Sequence, residues 1–264
     1  MDARKITIHT PEDFAGMRRA GKLAAEVLDY IAPFVKPGVA TEHLDKLCHN
    51  MIVENGAIPA PLGYKGFPKS ICTSVNHVIC HGIPDEKKLQ DGDIVNIDVT
   101  VIVDGWHGDT SRMFWAGEPA IKAKRLCQIT YDAMMLGIAE VAPRKTSGDI
   151  GHAIQTHVEK HGFSVVRDYC GHGLGKVFHT APNILHYGKK GEGVRLEEGM
   201  FFTVEPMVNV GGYETRLNKV DKWTVTTRDR SLSAQFEHSL GVTATGYEIF
   251  TTSPKGLNFP PYSF

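Results

Sequence analysis

Two stretches of this chain read as copies of each other, and each ends in an acid. The first is Leu89-Gln90-Asp91-Gly92-Asp93-Ile94-Val95-Asn96-Ile97-Asp98, the second Leu196-Glu197-Glu198-Gly199-Met200-Phe201-Phe202-Thr203-Val204-Glu205. In both, a Leu, an acidic turn, a Gly and an apolar run lead to a carboxylate. A carboxylate in an apolar, strand-like run is costly to bury unless a partner offsets its charge. Two at equivalent places imply a cation held between them.

A third acid falls on the same surface. Residues 94–103 have strand composition, Asp104-Gly105 is a type I′ hairpin signal, and 106–114 return. A two-residue turn pairs Val103 with Trp106, so Thr100 faces Asp109 and Asp98 faces Ser111. Asp98 and Asp109 then share one face as diagonal neighbours, with Cβ atoms about 7 Å apart. That separation is too long for a direct carboxyl pair and suits one metal ion or two. His172 lies between glycines in Cys170-Gly171-His172-Gly173-Leu174-Gly175, where backbone can approach closely. The glycine spacing fits neither a dinucleotide fingerprint nor a Walker loop. Glu237, in Ala234-Gln235-Phe236-Glu237-His238-Ser239, reads as an acid in a late strand.

The elements that must carry these residues also come twice. Thr10-Pro11-Glu12-Asp13 is a helix start, followed at helical spacing by Met17, Ala20, Ala24, Val27, Leu28 and Ile31. Pro33 and Pro37 interrupt it, Thr41 caps a second helix, and Gly56 ends that helix. A helix over about 122–142 stops at Pro143, and another begins at Ser147 and ends at Gly162. Each half then carries His-x-x-Pro, as His81-Gly82-Ile83-Pro84 and His179-Thr180-Ala181-Pro182, before its Leu…Gly…acid strand. The shared order of four elements predicts an internal duplication: one domain over 1–264, with halves at about 10–115 and 116–252. The tail, 253–264, is either an irregular strap or a frayed end.

The chain has 264 residues, 42% hydrophobic and 22% charged, with net charge −1. That is an ordinary globular balance with no global field toward nucleic acid or a membrane. Arg18, Arg19 and Lys22 read as a solvated helix face. Five cysteines without a CxxC predict reduced thiols and a cytoplasmic home. No run is long enough to span a bilayer, and Met1-Asp2-Ala3-Arg4-Lys5 lacks the apolar core of a signal peptide.

Asp98, Asp109, His172, Glu205 and Glu237, in their local contexts, resemble the five-ligand pattern of the methionine aminopeptidases. The resemblance covers about 10–252 and is closest to the short bacterial type I members. There is no zinc-binding extension ahead of it and no long helical insertion between His172 and Glu237. It implies an α+β fold of the duplicated "pita-bread" kind, a curved antiparallel sheet backed by helices. It also implies two divalent metal ions (Co, Mn, Fe or Zn). Asp98 chelates one, His172 and Glu205 serve the other, and Asp109 and Glu237 bridge. Four carboxylates with one imidazole form a hard, oxygen-rich set.

By the same resemblance Glu205 is the proton acceptor, His179 orients the scissile amide, and His81 contacts substrate and the tetrahedral intermediate. Tyr64, Phe67, Cys72, His81, Phe178, His179 and Trp223 bind the substrate and its methionine side chain. Pro61 stands where a Cys is frequent and Phe67 where a Tyr is frequent, which keeps the pocket apolar. Asn76, Val78 and Ser233 match residues that hold a monovalent cation (Na or K). The implied activity is removal of initiator methionine from nascent chains with a small second residue, by a monomer in transient contact with ribosomes. The alternatives are an Xaa-Pro peptidase, disfavoured by the few residues ahead of the first helix, and a non-catalytic scaffold, disfavoured by the intact ligand set.

Overall fold

Pro11 at the first helical position, with Asp13 accepting from the Thr10 N–H at 2.9 Å, starts helix α1 (Pro11–Ile31). The computed structural model describes residues 5–263; Met1 to Arg4, most of the stretch read above for a leader, and Phe264 lie outside them. The apolar stripe of α1 is buried at every position expected from its spacing, from Met17 to Ile31. Helix α2 (Thr41–Glu54) follows, but Thr41 does not cap it. Ala40 is the N-cap, and the Thr41 hydroxyl instead accepts from the Asp85 N–H at 2.9 Å, tying the helix to the loop after His81.

Strands β1 (Ile58–Pro59), β2 (Cys72–Val75), β3 (Val78–Cys80), β4 (Asp93–Val103) and β5 (Trp106–Ala116) come next. Then α3 (Ile121–Ala139) and α4 (Ser147–Lys160) form. Helix α3 ends three residues earlier than its composition suggests, and Glu140 closes it ahead of Pro143. The second run of strands is β6 (Ser164–Val165), β7 (Gly171–Gly173), β8 (Thr180–Ile184), β9 (Phe201–Val204), β10 (Met207–Asn209), β11 (Thr215–Leu217), β12 (Val225–Thr227), β13 (Ser233–Gln235), β14 (His238–Val242) and β15 (Tyr247–Ile249).

All strand pairs among the described residues are antiparallel. One sheet joins β1 and β2 to β4, and β4 to β5; a second runs β15-β14-β9-β7-β8. The first packs on α1 and α2 through Leu28, Ile31, Leu44, Ile52, Val95, Ile97 and Val99. The second packs on α3 and α4 through Leu126, Ile150, Ile154, Phe202, Val204 and Leu240. This is the α+β, helix-backed antiparallel architecture expected. The sheets meet where the Glu237 N–H donates to the Ser111 carbonyl at 3.0 Å and the Ser239 hydroxyl donates to the Asp109 carbonyl at 2.6 Å. No helix of the described residues is long and apolar enough to cross a membrane.

The tail is a strap. The Tyr262 hydroxyl donates to the Met113 carbonyl at 2.8 Å, and Phe259 stacks on Phe236, with ring centroids 5.8 Å apart. Arg112 and Asp29, each about 2% exposed, form an ion pair at 2.5 Å; Arg112 also donates to the Leu257 carbonyl, and Ser253 donates to Asp29.

Candidate metal centre

The Asp104-Gly105 turn has positive φ at both residues, 49° and 82°, as a type I′ turn requires. It sets the β4–β5 register as expected: Asp98 lies opposite Ser111, and Thr100 opposite Asp109. The Thr100 hydroxyl donates to Asp109 Oδ1 at 2.6 Å. Asp98 Oδ1 is shut off from solvent and has no hydrogen-bond partner.

The glycines beside His172 admit close strand packing. A Cβ at Gly171 would lie 2.3 Å from the Thr203 carbonyl oxygen, and one at Gly173 would lie 2.1 Å from that of Ala181. The His172 ring lies with Nδ1 3.1 Å from the Gly173 carbonyl. A carbonyl only accepts, so Nδ1 carries the proton and Nε2 turns to the acids, 3.5 Å from Asp109 and 3.6 Å from Glu205. Glu205 is held at both oxygens: Thr203 Oγ1 donates to one at 2.7 Å and Gln235 Nε2 to the other at 3.1 Å. The Thr203 hydroxyl also accepts from the His172 N–H at 3.0 Å. Glu237, 3% exposed, lies between β13 and β14 at the bridge to Ser111, not within a strand as its sequence context suggested. It falls in the short break between two strands of different sheets.

Asp109, His172 and Glu237 bring one ligand atom each to within 4.8 Å of one another. Asp98 and Glu205 border the same cleft, of about 540 Å³. Its electrostatics call for a cation. Burial, then Asp109 and Glu205, hold the Asp98 carboxyl well above its ordinary range, and burial with Asp109 does the same to Glu237. Burial pushes Glu205 up to about 7. Burial alone would lower His172, but Asp109 and Glu205 outweigh it and lift it to about 9. Buried acids that resist ionisation, an orphaned carboxylate oxygen and an imidazole Nε2 aimed at the acids, free to ligate once a cation takes the place of its proton, form a donor set that fits hard divalent cations.

The cleft wall gathers every pocket residue expected from the sequence: Tyr64, Phe67, Cys72, His81, Phe178, His179 and Trp223. The His179 ring lies 4.2 Å from that of His172 and 4.1 Å from that of Phe178. His81 stands edge-on to Trp223 at 6.0 Å, and burial pushes it down to about 4, so it is neutral near pH 7. Trp223 is fixed because Asp221 accepts from its N–H at 2.8 Å and from the Thr224 N–H at 2.9 Å. Asn76 and Ser233 also meet: the Ser233 N–H donates to the Asn76 carbonyl at 2.8 Å, while Val78 of β3 pairs with Thr226 of β12. The sequence reading omitted Tyr169, Cys80, Met207, Thr203 and Gln235, which line the cleft or hold Glu205. A signal existed for two of them. Thr203 and Gln235 are polar residues in apolar runs, each two residues before an acid.

Residues 15–244 match the profile of Metallopeptidase family M24. The chain belongs to metallopeptidase family M24. Among its M24 relatives, the methionine aminopeptidase of Rickettsia prowazekii is 67% identical over 97% of this chain and 99% of its own length. The crystal structure of that enzyme superposes with a TM-score of 0.93, covering 94% of this chain and 100% of the other. The methionine aminopeptidase of Escherichia coli K12 is 58% identical over 93% of this chain and 94% of its own. Prolidase from Pyrococcus furiosus is 19% identical with a TM-score of 0.74, over 92% of this chain and 65% of the other; that likeness shows the fold alone.

Proposed function

We propose that this chain removes the initiator methionine from polypeptides whose second residue is small. The observation that carries the reading is the juxtaposition of the acid–imidazole cluster with an apolar aromatic cleft wall. An apolar, polarisable pocket suits a thioether side chain. Asp98 would hold one divalent cation, and His172 and Glu205 the other, with Asp109 and Glu237 between them. Co, Mn and Fe suit the oxygen-rich set at least as well as Zn. When bound, the cations supply Lewis acidity toward the scissile carbonyl and the attacking water.

The residues do the rest. Glu205, oriented by Thr203 and Gln235, accepts the proton of the attacking water and passes it to the leaving amine. His179, beside His172, orients the scissile amide. Neutral His81 donates to the developing oxyanion. Crowding at the cation-filled cluster would exclude a bulky second side chain. The reading includes one catalytic domain made of two related halves, acting as a single copy in the cytoplasm and transiently near ribosomes, where initiator methionine is first exposed. A monovalent cation (Na or K) at Asn76, Val78 and Ser233 is also part of it, supported by the Asn76–Ser233 contact and by Ser233 Oγ, which is buried without a partner.

The test is hydrolysis of Met-Ala-Ser, Met-Leu-Ser and Ala-Pro-Ser by the cation-loaded protein. Methionine release from the first alone, lost with a chelator and in Asp98→Ala, is expected. Cleavage of Ala-Pro-Ser in its place would move the chain to the Xaa-Pro class, a reading that the high identity to methionine aminopeptidases disfavours.

A further inference from the structure

Phe67, on the cleft wall, leads into residues 68–71, a segment outside any helix or strand. Nothing in a sheet ladder holds it, yet Ser70 is 2% exposed and Ile71 is fully buried. Phe67 closes a turn of its own, its N–H donating to the Tyr64 carbonyl at 2.9 Å and its carbonyl accepting from the Gly63 N–H at 2.8 Å; what holds residues 69–71, which anchor that turn, is one face of α2. Asp45, itself buried, accepts from the Ser70 N–H at 2.8 Å and the Ile71 N–H at 3.1 Å through a single oxygen. One turn later His49 Nδ1 lies 2.8 Å from Ser70 Oγ, and Glu42 pairs with Lys69. Glu42, Asp45 and His49 follow helical spacing, so a single stripe of α2 grips three consecutive residues.

The gripped residues do not line the cleft; their neighbours do. Phe67 precedes them and packs edge-on against Trp223, with ring centroids 5.2 Å apart, inside the cleft. Cys72 follows them and lines the cleft too, but the β2–β4 ladder holds it independently, opposite Asp98. Loss of the grip therefore moves the Phe67 side of the pocket and leaves the acid cluster in place.

We propose that Asp45, assisted by His49, is a positioning residue that sets the width of the methionine side-chain pocket by clamping residues 69–71 to α2. This rests on the reading of the chain as a methionine-releasing peptidase. The clamp needs an acceptor oxygen, not a charge, because its two partners are backbone N–H groups. An Asn side chain keeps that oxygen. An Ala leaves two buried donors without a partner, and the segment must shift to satisfy them.

The experiment compares wild type, Asp45→Asn, Asp45→Ala and His49→Ala on Met-Ala-Ser and on its norleucine analogue, with free methionine as competitor and bound cation measured. For Asp45→Ala we expect KM for Met-Ala-Ser and the inhibition constant of methionine to rise roughly tenfold, with kcat within about twofold. The preference for Met over norleucine narrows, and cation content is unchanged. Asp45→Asn keeps most of the wild-type KM, and His49→Ala falls between. A smaller folded fraction would lower kcat and leave KM untouched, so KM separates positioning from simple destabilisation. Unchanged KM and selectivity in Asp45→Ala, or Asp45→Asn as impaired as Asp45→Ala, overturns the clamp alone. A wild type that releases no methionine overturns both the clamp and the functional reading.

Discussion

Asp98 carries the clearest electrostatic conflict in the molecule. Its Oδ1 is buried and unpaired, and Asp109 and Glu205 repel its charge. Without a cation, the folded protein therefore holds protons that the unfolded chain would release. Glu205, raised to about 7 from 4.5, and His172, raised to about 9 from 6.5, act in the same sense. A raised pKa means more protons bound when folded, so stability falls as pH rises through the folded value. The histidines held low by burial, His81 at about 4 and His238 at about 3, act oppositely, but only below their ordinary value of 6.5. From pH 7 to pH 9 the raised groups decide. The cation-free protein should melt at a lower temperature at pH 9 than at pH 7. Asp98→Asn should raise the cation-free melting temperature and weaken cation binding, by calorimetry and by titration. A flat pH profile together with a less stable Asp98→Asn would contradict this account of the cluster.

At the scale of elements, the position of Asp109 depends on how closely β5 lies against α1. A Cβ at Gly108 would sit 2.2 Å from the Ala20 carbonyl oxygen, a backbone atom that a rotamer change cannot relieve. On the outer side, Arg112 joins β5 to Asp29 of α1 and to the C-terminal strap. Arg112→Ala leaves Asp29 buried without its cation and should cost about 3–5 kcal/mol in denaturant unfolding; a loss below about 1 kcal/mol would show that the pair adds little. How far such features could be read in advance follows from their range. The Asp98–Asp109 relation was legible because a two-residue turn fixes register locally, and Thr100 opposite Asp109 came with it. The capping of α2 was misread because the Thr41 hydroxyl answers to Asp85, far along the chain. Glu237 was recognisable by its context, but its place at a bridge to Ser111 depends on the meeting of two sheets, and no local pattern encodes that. The Asp29–Arg112–Ser253 network left no sequence signal, since each member looks like an ordinary surface residue until the tail folds back.

At the scale of the whole molecule, the two helix-backed sheets leave a cleft at their junction, and the acids that would repel one another come from both sides of it. Asp98 and Asp109 belong to the β4–β5 hairpin. His172 and Glu205 belong to β7 and the end of β9, and Glu237 lies at the bridge that joins the sheets. Bound cations would therefore tie the two sheets together as well as serve the chemistry, and a ligand that binds only the folded state stabilises it by mass action. On the proposed reading these five side chains would hold two divalent cations side by side. The most direct measurement of this is the anomalous scattering of a manganese-soaked crystal. Two peaks are expected, one against Asp98 and one against His172 and Glu205, with Asp109 and Glu237 reaching both. A single peak away from these residues, or none at saturating manganese, would contradict it.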